Sequence, residues 1–150
     1  MVRLNLDRIL FLLLLFVSTT IYSQKVNLII FINDEIMTSS IGLEFHNKTS
    51  AGKYEYIYSP GREIDISTND VFKENMILQF DAYSDKKDPT KLYNYKMLLK
   101  KELFHDTSFL IIRIYNLDVK KYKKIFCRSK ESYVVDFHKS SLYINTSRCK

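Results

Sequence analysis

The chain has 150 residues, 46% of them hydrophobic, with a formal net charge of +6, two cysteines and three glycines. That length suits one domain able to bury a core without a metal or a dense disulfide network. The glycines Gly42, Gly52 and Gly61 form neither a phosphate-cradling loop nor a G-x-S-x-G elbow, so nucleotide chemistry and elbow-type hydrolysis lose their usual scaffolds.

The chain opens with Arg3 and Arg8, then nine unbroken apolar residues from Ile9 to Val17, then small and polar residues ending in Ser23. This is the pattern of a secretory signal peptide over residues 1–23, with cleavage before Gln24. The apolar run is shorter than the roughly 18 to 20 residues that cross a bilayer, so no membrane span is expected in the mature chain, 24–150. Removing the leader takes away Arg3, Arg8 and Asp7 and leaves a charge of +5. A moderately basic exported protein points away from DNA and RNA and toward lipid headgroups, acidic polysaccharide or an acidic protein.

From Val26 onward the dominant signal is alternation with period two, which sends successive side chains to opposite faces of a sheet. Val26, Leu28, Ile30 and Ile32 share one face, as do Ile41, Leu43 and Phe45. The stretch YEYIYSPGREIDI (54–66) reads as a hairpin, with Pro60-Gly61 suited to a type II turn. Met76, Leu78, Phe80 and Ala82 alternate in the next strand, the polar run SDKKDPTK (84–91) reads as a loop, and Tyr93, Tyr95, Met97 and Leu99 resume the series. His105-Asp106 reads as turn chemistry before a strand through Leu110, Ile112 and Ile114, and SYVVDF and SLYIN supply the last two strands.

Between these late strands, alternation fails from Asp118. Val119, Tyr122 and Phe126 fall at helical spacing behind Asp118 as N-cap, which predicts a short helix near 118–126 docked by an apolar stripe. Lys120, Lys121, Lys123 and Lys124 then fan outward as a basic face, either simply solvated or in contact with an anionic surface or partner. The whole pattern predicts an all-β fold, a small antiparallel β-sandwich with an immunoglobulin-like or transthyretin-like layout and one short helix. The strand, helix, strand order from Phe109 to Thr146 resembles the transthyretin-like sandwiches in layout, and a likeness of that kind carries over no functional residue.

Candidate site residues are few. Cys127 and Cys149 form an even pair suited to a disulfide that would tie down the chain end, and two isolated cysteines lack the paired spacing of a zinc site. Glu44-x-His46 and Asp136-x-His138 each place an acid and an imidazole on one strand face. If the two strands were neighbours, the four groups could form a metal-dependent or hydrolytic site. Tyr54, Tyr56 and Tyr58 share a face that is either core or an exposed aromatic strip, and the abundance of tyrosine without tryptophan suits protein recognition. No cofactor is implied. The reading is an exported, non-catalytic binding module of the envelope or periplasm, docking on a protein partner or anionic surface through the lysines and tyrosines. A small enzyme built on Glu44, His46, Asp136 and His138 is the alternative.

Overall fold

The computed structural model describes residues 24–47, 52–85, 88–126, 130–140, 142–144, 146 and 148. The strands are β1 (Lys25–Ile32), β2 (Glu35–Ile36), β3 (Ile41–Asn47), β4 (Lys53–Tyr58), β5 (Glu63–Asp65), β6 (Met76–Asp85), β7 (Asp88–Leu99), β8 (Phe109–Asn116), β9 (Tyr133–Lys139) and β10 (Leu142–Ile144). One helix, α1 (Lys120–Phe126), interrupts them, and 3₁₀ turns lie at Asp70–Lys73 and Lys101–Leu103. A six-stranded sheet has the order β10-β9-β8-β1-β2, with β5 also pairing β1, and a four-stranded sheet has the order β4-β3-β6-β7.

The alternating apolar residues close between these sheets. Val26, Leu28, Ile30, Leu110, Ile112 and Ile114 from the first meet Leu43, Phe45, Met76, Leu78, Tyr95 and Leu99 from the second in one buried cluster. The expected β-sandwich is therefore the fold. One pairing departs from antiparallel: β1 runs parallel to β8, from Asn27 opposite Phe109 to Ile32 opposite Ile114. Both strands are nearly continuous apolar runs, NLIIFI and FLIIRI, a composition common in parallel pairs.

Two local expectations are corrected. Arg62 N–H donates to Ser59 O at 3.1 Å across Pro60-Gly61, and Gly61 has φ +82°, so the turn forms. Yet β4 pairs β3 while β5 pairs β1, so this turn carries the chain from one sheet to the other instead of closing a hairpin. The run 84–91 is mostly strand: β6 and β7 form a long hairpin paired out to Asp85 opposite Asp88. Backbone pairing propagates past the end of the apolar pattern there, and Pro89 is tolerated because β7 is an edge strand.

A two-residue turn joins β1 to β2, with Asn33 at φ 53° and Asp34 at φ 66°, the left-handed pair that a type I′ hairpin requires. Asn33 Oδ1 accepts from Asn116 N–H at 2.9 Å, which locks this turn to the end of β8 beside the helix. Tyrosine hydroxyls tie the sheets across their margins. Tyr58 OH donates to Met37 O (3.1 Å) and accepts from Ile30 N–H (3.4 Å), and Tyr133 OH donates to Lys96 O (2.6 Å) and accepts from Lys96 N–H (2.7 Å).

Candidate functional site

The helix does not enter the main core. Tyr122 and Phe126 pack with Tyr115, Leu117 and Val134 in a separate buried cluster, on the outward face of the six-stranded sheet. Their rings lie 5.2 and 5.1 Å from that of Tyr115. Lys120, Lys121, Lys123 and Lys124 are all exposed on the opposite side. The apolar stripe and the lysine face are thus divided as the 3.6-residue period requires.

Two aspartates fix the helix from either side. Asp34, in the β1–β2 turn, accepts from Lys121 Nζ (2.9 Å) and Tyr122 OH (2.8 Å). Asp118 sends its carboxylate across to the other sheet, where Lys91 Nζ and Tyr93 OH both donate to it. The helix itself begins at Lys120, two residues beyond this aspartate. Burial works against charge at both carboxylates, and the hydrogen bonds from Lys121 and Tyr122 at Asp34, and from Lys91 and Tyr93 at Asp118, outweigh it. Both acids therefore titrate below the ordinary aspartate range. Burial, followed by the bond to Asp34, moves the Tyr122 hydroxyl the other way, above the usual phenol range.

A depressed folded value means that the stabilisation is complete above the unfolded aspartate value, about 3.9, and is lost as pH falls through the folded one. The Asp34 side chain is 46% exposed, so the expected loss is modest, about 1 kcal/mol or less. Denaturant unfolding at pH 5 and pH 3 should show Asp34→Asn losing less stability on acidification than the parent chain. Equal losses in the two proteins would remove Asp34 from the linkage.

The four-residue constellation does not assemble. Glu44 and His46 lie on the outward face of β3 in the four-stranded sheet, whereas Asp136 and His138 lie on the outward face of β9 in the other. Opposite outer surfaces of a sandwich cannot share a substrate or a metal. Glu44 instead pairs with Lys53 at 3.2 Å, and His138 packs edge-on to Phe109. Asp136 is fully buried, accepting from Thr146 N–H at 2.6 Å with an Arg148 guanidinium nitrogen 4.0 Å away, so it anchors the chain beyond β10. Among the described residues no three His, Cys, Asp or Glu side chains gather to hold a metal ion.

Tyr54, Tyr56 and Tyr58 face inward. Tyr58 is fully buried, Tyr56 is 7% exposed and Tyr54 is half-buried against the core, which takes them out of any solvent-facing strip. The leader at 1–23 and the Cys127–Cys149 pair lie outside the described residues. Among the described residues no helix is long and apolar enough to cross a membrane. Sequence reasoning missed Asp34, Lys91 and Tyr93. The Asn33-Asp34 dipeptide carried a turn signal, but nothing local connects Lys91 to Asp118 across 27 positions.

No protein-family model matches the chain, and no curated protein or solved structure matches it.

Proposed function

We propose that the chain is an exported, non-catalytic binding module that docks through the lysine face of α1 on an anionic surface or an acidic protein partner. The carrying observation is the crowding of charge on a short helix. Within seven residues, Lys120 sits three and four positions from Lys123 and Lys124, and Lys121 sits three from Lys124. Each such like-charged pair destabilises a helix by a few tenths of a kcal/mol. An apposed anionic partner would relieve that repulsion. Asp34 already does so for Lys121, and all four lysines keep an exposed face. Export rests on the leader pattern in residues 1–23.

Binding to vesicles with and without an anionic lipid, at low and moderate salt, tests the reading. Each lysine near an anionic membrane contributes about 1 kcal/mol, so changing Lys120, Lys121, Lys123 and Lys124 together to Gln should lower affinity by roughly 100-fold or more. Salt should weaken the parent in the same direction. The fold should persist, because exposed substitutions usually stay within about 0.5 kcal/mol each. Polyglutamate in place of vesicles separates the acidic-polypeptide form of the proposal from the lipid form. Failure of the parent to bind either at low salt would reject both.

A further inference from the structure

At the other end of β8 from the helix, a cleft of about 430 Å³ opens between the 3₁₀ turn at Asp70–Lys73 and the turn that follows β7. Its floor is apolar and nearly closed to water: Phe72, Phe104 and Ile66 are 6%, 1% and 8% exposed, and the two phenyl rings sit 5.2 Å apart. Its rim carries Lys73 and Lys101 against one acid, Glu102. A cleft of this size with an apolar floor and a few polar groups has the general form of a small-molecule site.

The wall is also built so that its backbone does not oppose an anion. The carbonyls of Lys100 and Lys101 accept from Leu103 N–H and Phe104 N–H, each at 3.0 Å. Phe104 O accepts from Gln24 Nε2 at 2.8 Å. Lys139 Nζ donates to His105 O at 2.7 Å and also to Glu102 O. Each of these carbonyl oxygens is therefore already committed to a donor within the protein. Lys139 is 7% exposed, and its acceptors are carbonyl oxygens without net charge, so a buried ammonium adds positive potential behind the wall. Lys73 is partly offset by Asp70, so Lys101 and Lys139 face Glu102 as the one acid of the lining, two cations against one carboxylate.

We propose that this cleft binds an amphipathic organic monoanion, its apolar body lying over Phe72 and Ile66 and its carboxylate at Lys101. The site is separate from the lysine face of α1 and does not depend on it. The test uses 2-naphthoate as the anionic probe and 2-naphthamide as its neutral counterpart, followed by amide chemical shifts in the purified protein. Naphthoate should give saturable shifts at Gln24, Ser67 and Phe104, and naphthamide should bind at least about tenfold more weakly, the 1.4 kcal/mol of one good charge contact. Lys101→Glu, at an exposed position, should cost naphthoate at least that factor and leave naphthamide unchanged. The variant with four Gln on α1 should bind naphthoate like the parent, which keeps this result independent of the helix proposal. No saturable shift at these amides with millimolar naphthoate, or equal affinity for the two probes, or an unaltered Lys101→Glu variant, would each overturn the assignment.

Discussion

Phe45→Ala should lower the stability of the domain by about 3 to 5 kcal/mol, the cost of deleting a buried phenyl ring whose surroundings relax only in part. Phe45 is fully buried in the core, where its ring lies 5.3 Å from Phe72, 6.1 Å from Tyr54 and 6.5 Å from Phe104. These partners come from β4 and from two separate turns, so one side chain holds three segments that are distant in sequence. Against a total stability of roughly 5 to 15 kcal/mol for a typical domain, the loss is large. Denaturant unfolding with an unchanged m-value would register it. Leu98→Ala, on the outward face of β7 and 48% exposed, should fall within about 0.5 kcal/mol and serves as the control. A Phe45→Ala variant as stable as Leu98→Ala would contradict the placement of the core.

Period-two alternation carried most of this fold because it reports directly which side chains are buried. Val26 to Ile32, Met76 to Ala82 and Tyr95 to Leu99 each present their apolar set to the core as the pattern required. What alternation cannot report is which strand lies beside which. The Pro60-Gly61 turn has the same chemistry whether it closes a hairpin or crosses between sheets, and only the pairing of β5 with β1 distinguishes the two. The same limit governs Glu44-His46 and Asp136-His138. Each pair does share a face, but the faces belong to opposite surfaces.

Tyrosine shows a second limit. Counting the residue suggested recognition, but a phenol has an apolar body and one polar tip, which equally suits a sheet margin where backbone groups need partners. Tyr58 and Tyr133 serve in that way: Tyr58 bonds Ile30 in the opposite sheet and Met37 just beyond β2, and Tyr133 bonds Lys96 in the opposite sheet. Among the tyrosines whose side chains are described, Tyr83, at 55% exposed, is the large exposed one. The lysine face was legible for the opposite reason. Helical periodicity fixes which residues point away from the docked stripe, without reference to any distant partner.

Phe126→Ala tests whether the helix depends on docking. At seven residues, α1 is well below the roughly 12 to 15 at which an isolated helix becomes even marginal in water, so contacts with Tyr115 and Val134 must hold it. Phe126 is 3% exposed, and removing its ring should cost about 3 kcal/mol. Because the helix cluster is separate from the main core, that loss should appear as local opening. Hydrogen exchange would show lost protection over 120–126 while amides of β1 and β8 keep theirs. Equal loss in β8 would mean that the two clusters form one cooperative unit. The four lysines remain in this variant, so anionic vesicles, which respond mainly to the number of nearby charges, should still bind it within about threefold of the parent, less than the contribution of one lysine. A collapse of vesicle binding in Phe126→Ala would show instead that the ordered helix face, and not its charge alone, is what the partner reads.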